Sequence, residues 1–545
     1  MNLGRLARTL VHLQPGQVIN RLVRRLPSLK SLEGPTLVRR EPKSSWTNYT
    51  PHPQSMMSPT RFRFLAEEFD LAVYAGWNEP TLPRLWTYNL HYFDDLLSAP
   101  GAERAQWHRD IIARWIRENP PLQGAGWEPY TLSRRSVNWI AAALSHAPLP
   151  DGFVNSLTVQ GRALRRQLEH HLRGNHLFVN AKALIFLGCF LDGKEAGEWL
   201  ACGLDLINKE IAEQVLSDGA HFERSPMYHA LLTEDMLDLV QLGRIYPDEL
   251  AEHVANWRDT GLDMLHWLAA MTHPDGEIAL FNDAAFREAR NYAQLAHYAT
   301  GLDLHVEAAT PVSTWLQESG YIRLVAGPYT AIFDAAPVGP AYIPGHGHAD
   351  TLSVEISVGD ERLITNGGTS IYQNGALRCA ERSTSSHATV EIDGQNSSEV
   401  WSSFRVGRRA RPRNVSLSGD GEQAQASHDG YRFLVGKPVH ERAISLAGNS
   451  VQITDTIRSA AAHSVISRFP LHPCVTIEAT HDNGWRLRTA GGHLVEVRVH
   501  GIATCSTVDG WFAPEFGVRL PRKVLTWQKT GPLQPVLTNF ELIAQ

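Results

Sequence analysis

Cysteine is scarce in this chain and shows no metal-binding or disulfide pattern. The five cysteines among the 545 residues are Cys189, Cys202, Cys379, Cys474 and Cys505, and none forms a Cys-x-x-Cys pair. Neither a thiolate zinc site nor a disulfide framework is therefore predicted. We expect all five to be free thiols of the protein core.

The chain also lacks long apolar runs and the common nucleotide-binding and serine-hydrolase motifs. No stretch reaches the roughly 18 apolar residues of a membrane span, and the first residues lack the compact apolar segment of a signal peptide. Glycine-rich phosphate loops and a Gly-x-Ser-x-Gly turn are absent. We therefore expect no membrane span and no organic cofactor. A cytoplasmic location is the expectation, with a periplasmic or secreted location left open.

The charge balance excludes a general attraction to nucleic acid. The formal net charge is -6, so a polyanionic ligand has to be held by a local cationic site. Hydrophobic residues make up 43% and charged residues 20%, which is ordinary globular composition. The length predicts two or three domains; it leaves the oligomeric state open.

The first thirty residues are basic, and no acidic residue occurs before Glu33. The basic side chains are Arg5, Arg8, Arg21, Arg24, Arg25 and Lys30. Such a segment is either an amphipathic helix that touches a membrane or a partner, or a solvated leading helix. We favour the second reading because the apolar face is short, and we assign residues 1–60 to a basic helical extension.

Residues 61–310 carry apolar side chains at helical spacing, with short Gly, Pro or Asp interruptions. The clearest helical segments are Trp107–Arg117, Val137–Ser145, Ala181–Phe190, Trp199–Val215, Leu231–Leu242 and Leu262–Met271. Successive helices with short connections are typical of an α/α toroid or a solenoid of helix pairs. We expect the catalytic domain here.

Residues 311–545 change to alternating, β-branched-rich runs separated by turn signals such as Asp393-Gly394 and Gly448-Asn449. The predicted strands include Tyr321–Val325, Tyr329–Asp334, Ser353–Val358, Thr389–Ile392, Ala443–Leu446, Val451–Ile457 and Leu494–Val499. This pattern favours a stacked antiparallel sandwich over a parallel α/β sheet. The predicted fold class is therefore a multidomain α+β protein, with a helical toroid followed by an antiparallel β-sandwich.

Two polar segments in the helical half stand at predicted helix starts. Asn175 and His176 open one helix, where side chains and backbone N–H groups together can receive an anion. The alternative is that Asn175 is only an N-cap. Tyr228 follows Pro226, a residue suited to a first helical turn. Its phenol either faces a site or is packed in the core with a satisfied hydroxyl.

A third polar segment, residues 344–350, precedes a predicted strand in the β half. Gly345 and Gly347 permit close approach of a ligand, and the alternate residues His346 and His348 can face different ways. Two histidines near Asp350 also fit metal ligation, and the alternative is a pair of turn histidines. Further polar runs at 366–372, 382–387 and 393–401 either line a cleft or are exposed loops.

Together these segments resemble the heparinase II/III-like polysaccharide lyases, which join a helical toroid to a β-sandwich. The resemblance runs along most of the chain, through residues 86–92, 126–130, 174–176, 222–229, 345–350, 382–387 and 393–394. It implies that the catalytic residues are Asn175, His176, Tyr228 and His346. The motifs are further expected to supply substrate contacts from His91, Tyr92, Trp127, Arg224, His229 and Arg382.

The resemblance also implies a divalent metal, zinc or manganese, in the sandwich. The corresponding positions are His348, Asn366 and His387. Family members with a metal carry Asp at the middle position, and an Asn there is a neutral, weaker ligand. Asp350 is a candidate to compensate for it.

The implied activity is β-elimination of a uronate-containing polysaccharide, either glycosaminoglycan-like (hyaluronan, chondroitin or heparan sulfate) or an alginate or bacterial exopolysaccharide. In this hypothesis Asn175 holds the uronate carboxylate, with His176 and Arg224 as further candidates for that role. Tyr228 protonates the leaving oxygen, and His346 or His176 serves as a base. One alternative is a glycoside hydrolase using Glu128, Glu223 or Asp283. Another is a non-catalytic glycan-binding protein of polysaccharide assembly. The polar clusters favour the lyase because they are rich in His, Asn and Tyr.

Overall fold

The structure is a computed structural model that describes residues 3–23, 32–73, 76–307, 312–501, 503–531 and 534–544. Helices dominate its first part. They are α1 (Leu3–Leu10), α2 (Pro15–Val23), α3 (Arg84–Tyr92), α4 (Ala105–Glu118), α5 (Pro129–Leu144), α6 (Phe153–Arg166), α7 (Gly174–Phe190), α8 (Lys194–Gln214), α9 (Pro226–Ile245), α10 (Pro247–Ala270), α11 (Tyr292–Gly301) and, within the later β region, α12 (Ala376–Glu381).

Helix α7 is central to the helical half, and its composition explains why. All but one of its 17 residues are buried, because apolar side chains surround the helix instead of forming one stripe. Gly188 allows a close crossing with α8, since a Cβ there would lie 2.7 Å from the Cβ of Leu200. Helices α5, α8 and α9 pack around α7, and α10 and α11 pack on α9.

Four short strands lie among these helices: β1 (Val38–Arg39), β2 (Arg61–Phe64), β3 (Glu67–Asp70) and β4 (Leu191–Asp192). Strands β2 and β3 form a hairpin that the helical pattern did not predict. The aromatic rings of Phe64 and Phe69 pack against Trp86 of α3, and this contact holds the hairpin on the helical core.

The β region contains the remaining strands. They are β5 (Thr314–Leu316), β6 (Tyr321–Ala326), β7 (Tyr329–Asp334), β8 (Val354–Val358), β9 (Glu361–Ile364), β10 (Val390–Ile392), β11 (Val400–Trp401), β12 (Arg405–Val406), β13 (Pro412–Leu417), β14 (Gln423–His428), β15 (Val439–Ala447), β16 (Ser450–Arg458), β17 (His463–Pro470), β18 (Thr476–His481), β19 (Gly484–Arg488), β20 (Leu494–His500), β21 (Thr504–Phe512), β22 (Leu520–Gly531) and β23 (Val536–Ala544).

Three antiparallel sheets built from these strands share one apolar core. Their strand orders are β5-β6-β7-β8-β9, β10-β17-β22-β21 and β13-β14-β15-β16-β23-β20-β19-β18. Alternate residues of β16, such as Val451 and Ile453, point into the core, as the period-two pattern predicted. The predicted order of a helical half followed by an antiparallel β half is confirmed.

The connection between the two halves runs from Gly301, where α11 ends, to Thr314, where β5 begins. The boundary that we drew between residues 310 and 311 lies outside the described residues. A buried polar network joins the halves: His273, just after α10, contacts Glu355 of β8 at 3.1 Å and Ser357 at 2.8 Å. Fixed polar contacts therefore join the two halves.

The expectations for cysteine and for membrane spans have different outcomes. The five cysteines are free, but Cys474 is exposed, so the prediction of a core thiol is wrong at that position. No helix in the described part of the chain has the length and apolarity needed to cross a bilayer.

The buried Arg442 gives a test of the sandwich core. Its guanidinium donates to Asp455 at 2.8 and 2.9 Å, and to the carbonyl oxygen of Leu352 at 2.8 Å. We expect Arg442→Leu to lower the free energy of unfolding by ~3–5 kcal/mol, because it removes the guanidinium that balances the charge of a buried carboxylate. In the matched control Arg458→Leu, which removes an exposed pair with Glu441, the denaturant midpoint should change much less, because an exposed ion pair is screened by solvent. Equal shifts of the denaturant midpoint in the two variants would contradict this account.

Candidate functional site

Tyr228 and His346 meet in the groove between the two halves. Tyr228 lies in the first turn of α9, and His346 lies in the loop before β8. Their ring centroids are 3.9 Å apart. The hydroxyls of Tyr228 and Tyr372 lie 3.0 Å apart, in a hydrogen bond that either can donate. A phenol and an imidazole from distant parts of the sequence thus share one site.

The start of α9 is fixed by its capping residue. The Ser225 side chain accepts a hydrogen bond from the backbone N–H of Tyr228, and Pro226 occupies the first turn. The Ser225 hydroxyl also donates to the backbone carbonyl of Asp283. The same residue therefore sets the position of Tyr228 and ties α9 to the segment that carries Asp283.

Asn175 and His176 open α7 on the opposite side of the groove. The side chain of Asn175 is hydrogen bonded to the Tyr130 hydroxyl. The ring of His176 lies 4.8 Å from that of Tyr130, and its Nδ1 lies 3.1 Å from the Glu169 carboxylate. An amide and an imidazole thus face the groove at a helix N-terminus, where partial positive charge favours an anion.

Glu223 bridges the two sides of the groove. Its carboxylate accepts a hydrogen bond from the Asn175 backbone N–H and lies 3.4 Å from Nε2 of His346. Burial raises the pKa of Glu223 above its usual range, although His346 opposes that shift. Gly174 makes room for this carboxylate: its φ is +53°, and a Cβ there would lie 2.8 Å from Oε1 of Glu223.

The carboxylate of Asp283 organises the β side of the site. It is hydrogen bonded to Nδ1 of His346 at 2.8 Å and to Nε2 of His348 at 2.9 Å. It also accepts from both terminal nitrogens of Arg378, one of them at 2.6 Å. Burial alone would raise the pKa of Asp283, but Arg378 and the two histidines hold it well below the usual range. The ionised carboxylate therefore fixes the orientation of both imidazole rings.

The phenol of Tyr228 is held in its neutral form. Burial is the largest cause that raises the pKa of Tyr228 well above 10, and the neighbouring Tyr372 and Asp283 add to the shift. At neutral pH the hydroxyl therefore carries its proton and can donate it. The ring of Phe404 lies 5.8 Å from that of His346 and closes this side of the groove.

A buried cluster of His348, Asp350 and His387 lies behind His346. Their potential ligand atoms lie within 4.8 Å of one another. Nδ1 of His348 and Nε2 of His387 are buried and have no hydrogen-bond partner among the described residues. Burial lowers the pKa of His348 to about 4 and raises that of Asp350 to about 6. Two neutral imidazoles with unused nitrogens beside a carboxylate form a donor set that suits a divalent cation.

Two family models match consecutive parts of the chain. The model described as heparinase II/III N-terminus matches residues 131–305, and the one described as heparinase II/III-like, C-terminal, matches residues 308–535. The chain belongs to the heparinase II/III family. The resemblance of the polar motifs to this family is thereby confirmed.

Individual relatives of this heparinase II/III chain match only part of it. A heparin-sulfate lyase from Bacteroides stercoris is 33% identical over 206 residues, which are 33% of this chain and 31% of that protein. A heparin-sulfate lyase from Pedobacter heparinus is 25% identical over 326 residues, 52% of this chain and 47% of the relative. The matched part of the chain thus spans less than half the length of these two relatives.

Solved structures show the same fold over most of the chain. Heparinase III aligns with a TM-score of 0.66 at 16% identity, over 85% of this chain and 77% of that one. A heparan sulfate lyase from Pedobacter heparinus aligns with a TM-score of 0.60 at 18% identity, over 92% and 86% of the two chains. The predicted architecture of a toroid followed by a β-sandwich is confirmed by this likeness.

The structure brings the four residues expected to be catalytic in this heparinase II/III chain to one groove. Tyr228 contacts His346, and Asn175 is linked to His346 through Glu223. His176 lies beside Tyr130 on the same side as Asn175. Their assignment as catalytic groups stays a prediction.

Several side chains expected to contact substrate lie in the interior. His91 is fully buried, with Nδ1 accepting from the Trp115 indole at 3.0 Å. Trp127 is buried and donates to the Asn119 carbonyl oxygen at 3.1 Å. His229 is fully buried, with Nε2 2.8 Å from the carbonyl oxygen of Met264. Since these groups cannot reach a polymer in the groove, the expected substrate contacts are corrected to packing and hydrogen-bonding roles.

Tyr92 supports the groove from behind. Its buried ring lies 6.0 Å from that of Tyr130. The expected direct contact is therefore replaced by a packing contact with Tyr130, a residue that itself faces the groove.

Both arginines expected to bind substrate are turned into the protein. Arg224 has φ of +59° and donates to the carbonyl oxygens of Phe222, Glu318 and Ser319. Arg382 is fully buried and donates to the carbonyl oxygen of Gly347 at 2.7 Å. The expectation of a substrate contact is therefore wrong for their guanidinium groups. Arg382 instead holds the loop that carries His346 and His348.

Asn366 contacts one of the expected metal ligands. Its Oδ1 lies 3.2 Å from Nδ1 of His387, and its Nδ2 is buried without a partner in the described structure. The position of Asn366 therefore suits orienting the His387 ring. Its expected role as a ligand stays a prediction.

Sequence reasoning missed Tyr130, Tyr372 and Arg378, and treated Asp283 only as a possible hydrolase acid. For Tyr130 a signal was present, because Pro129 starts α5 as Pro226 starts α9 and so places the tyrosine at a helix start. Arg378 and Asp283 had no signal, since the pair joins positions 95 residues apart.

The crowding at Gly174 gives a test of the groove wall. We expect Gly174→Ala to cost more stability than Gly152→Ala. Both glycines have positive φ, but a Cβ at Gly152 meets nothing within 4 Å. The control should lose ~1 kcal/mol from backbone strain alone, and Gly174→Ala about 1 kcal/mol more because Glu223 must move. Denaturant unfolding measures the difference, and equal losses would show that Glu223 yields freely.

Proposed function

We propose that the protein is a polysaccharide lyase that cleaves uronate-containing, glycosaminoglycan-like polysaccharides by β-elimination. The observation that carries this proposal is the contact between the Tyr228 phenol and the His346 imidazole, whose ring centroids lie 3.9 Å apart in the groove. Further support comes from the two curated relatives, which are themselves heparin-sulfate lyases.

Elimination from a 4-linked uronate requires three tasks. The C5 proton must be removed, negative charge that moves onto the C6 carboxylate must be stabilised, and the departing O4 must receive a proton. Each task needs a group positioned around one sugar ring. The groove offers an amide, a phenol and two imidazoles for them.

Asn175 is the group that binds the carboxylate, with His176 beside it. Neutral hydrogen-bond donors strengthen their interaction as charge accumulates on the carboxylate in the transition state. The N-terminus of α7 adds partial positive charge at the same place. Arg224 is left out of this role, because its guanidinium is bonded to the backbone carbonyl oxygens of Phe222, Glu318 and Ser319.

Tyr228 protonates O4. Its raised pKa keeps the proton on the phenol until the leaving oxygen develops charge. Once the phenol has given up its proton, the phenolate can take the C5 proton of a substrate that presents it on this face. That proton then passes to O4 of the same substrate, so the phenolate is regenerated and one residue serves as base and acid within that turnover.

His346 is the base for the epimer that presents the C5 proton on the other face. The ionised Asp283 accepts the hydrogen from Nδ1, which leaves Nε2 of His346 with the lone pair. Glu223 faces this nitrogen at 3.4 Å. Asp283 is thus a positioning residue, and Arg378 keeps it ionised.

The glycoside hydrolase alternative lacks a free pair of carboxylates among its candidates. Asp283 is fully buried and bound by Arg378 and two histidines. Glu128 is bound to Arg84 and Tyr88 at the start of α5. Glu223 alone does not provide the acid and base that hydrolysis needs.

A divalent cation, zinc or manganese, fits the cluster of His348, Asp350 and His387. The two unpartnered imidazole nitrogens are the observation that supports this fit. A bound cation would supply positive charge that rigidifies the loop before β8. His348 would then be fixed on one side by the cation and on the other by Asp283, 2.9 Å from its Nε2.

The role of Tyr228 is tested with Tyr228→Phe on a panel of uronate polymers. We expect kcat to fall ~10²–10⁴-fold, because the proton donor is lost while the ring still packs. Unsaturated product is followed by absorbance at about 232 nm, a signal that separates elimination from acid/base hydrolysis. The control is Tyr246→Phe, which removes a buried hydroxyl that has no partner in the described structure.

Other outcomes would replace the lyase by one of its alternatives. Near wild-type rates in Tyr228→Phe would remove this tyrosine from the mechanism. New reducing ends without unsaturated product would favour a hydrolase. Tight binding of oligosaccharides without turnover on the whole panel would favour a glycan-binding protein.

The metal is tested by loading the protein with zinc or manganese, followed by dialysis and elemental analysis. We expect about one ion per chain, and at least ~10-fold weaker retention in His387→Ala, since an imidazole ligand is removed. His493→Ala serves as the control, because that histidine contacts Glu361 away from the cluster. Unchanged metal content in His387→Ala would exclude this cluster as the binding site.

A further inference from the structure

The helical hairpin of α1 and α2 exposes an apolar face to solvent. Six of the seventeen exposed large hydrophobic side chains in the described structure lie between Leu3 and Val23: Leu3, Leu10, Val11, Val18, Ile19 and Leu22. Their exposed fractions range from 46% to 75%. A helix on the surface of a soluble protein normally turns such residues toward the core.

The polar side of the hairpin faces the protein instead. Arg8 forms a hydrogen bond of 2.8 Å with Glu399, and Thr9 accepts from the Trp401 indole at 3.2 Å. Gln14 is bonded to Arg173, and Gln17 lies 3.5 Å from the Tyr342 carbonyl oxygen. These polar contacts fix the polar side of the hairpin against the rest of the protein. Its apolar face therefore points toward solvent.

The anchoring contacts place the hairpin at the rim of the groove. Arg173 directly precedes the segment of Gly174 and Asn175, and Tyr342 lies four residues before His346. Glu399 and Trp401 belong to the β11–β12 hairpin, whose connection carries Phe404 beside His346. The apolar face therefore adjoins the entrance to the proposed active site.

Basic residues surround this face. No acidic residue occurs before Glu33, and β12 and the loop after it add Arg405, Arg408, Arg409 and Arg411. Burial lowers the pKa of His12, and so do Arg409 and Arg411, which places both guanidinium groups near α1. Glu399 is the acidic group that pairs with Arg5 and Arg8. The surroundings of the apolar face thus carry net positive charge.

We propose that the apolar face of α1 and α2 docks on an anionic lipid bilayer. Aliphatic side chains flanked by arginines are suited to insertion at the boundary between headgroups and acyl chains. A symmetric contact between two copies is disfavoured, because it would bring the arginines of both copies together. The described part of the hairpin also contains no Trp, Tyr or Phe, the aromatic residues that are enriched at protein–protein interfaces.

Docking by this face turns the groove entrance toward the bilayer surface. Arg173 and Tyr342 would then lie beside the headgroups, and a polysaccharide attached to a lipid could enter the groove without leaving the membrane. The inference rests on the exposed face and its charge, and it stands independently of the proposed lyase activity.

The test is co-sedimentation of the full chain with vesicles of phosphatidylcholine alone or mixed with equal parts of phosphatidylglycerol. We expect binding to the mixed vesicles that weakens at high salt, because the arginines contribute screened attraction. The triple variant Val18→Ser, Ile19→Ser, Leu22→Ser should bind at least ~10-fold more weakly. The matched control is Val508→Ser, Leu520→Ser, Ile543→Ser, which changes exposed apolar side chains of the β sheets and should bind like the wild type.

Circular dichroism establishes that both triple variants are folded, which separates loss of docking from loss of structure. The proposal is overturned if the wild type binds neither vesicle. It is also overturned if binding is equal on both vesicles, or if the two triple variants lose binding equally. A concentration-dependent dimer that only the Val18, Ile19 and Leu22 variant abolishes, without vesicle binding, would replace the lipid surface by a second copy of the chain.

Discussion

The site depends on one ionised carboxylate that is removed from water. Asp283 is fully buried, and a buried charge is tolerated only when its hydrogen-bonding capacity is used by well-placed donors. Arg378 supplies two of these donors, His346 and His348 supply two more at 2.8 and 2.9 Å, and the Thr369 hydroxyl adds a fifth at 3.3 Å. Arg378 lies in α12, and the two histidines lie in the loop before β8. Their hydrogen bonds to this one carboxylate therefore hold both segments at the groove in a fixed orientation.

The helical side of the groove also contains a buried carboxyl group, that of Glu223. Glu223 is buried, no lysine or arginine of the described residues is bonded to it, and burial raises its pKa. Its contacts with the Asn175 backbone N–H and with His346 let the carboxyl group join the two halves. The relative position of amide and imidazole is thus set by how the halves pack, and Gly174 is needed because any larger residue would occupy the space of that carboxyl group.

Features of the fold and site that depend on neighbouring residues could be predicted from the sequence, whereas features that depend on residues far apart in the sequence could not. The fold class and the segments of Asn175, Tyr228 and His346 were predictable, because helix periodicity, proline at helix starts and glycine in loops are local signals. The β2–β3 hairpin was missed inside a helical pattern. Arg224 was misjudged because its guanidinium is bonded to backbone carbonyl oxygens, two of which lie more than 90 residues away in the sequence. Asp283 was undervalued because its partners lie 63 to 95 residues away.

The orientation of Arg224 has a consequence for the proposed chemistry. A cation bound to the uronate carboxylate would already stabilise the substrate strongly, and the part of its binding energy that is equal in substrate and transition state does not raise kcat. The amide of Asn175 and the N-terminus of α7 interact more weakly with the carboxylate of the substrate. Their hydrogen bonds gain strength as the second charge develops during removal of the C5 proton. The Arg224 guanidinium is bonded to three backbone carbonyl oxygens instead. In the proposed chemistry, the developing charge is therefore stabilised by the Asn175 amide and the N-terminus of α7.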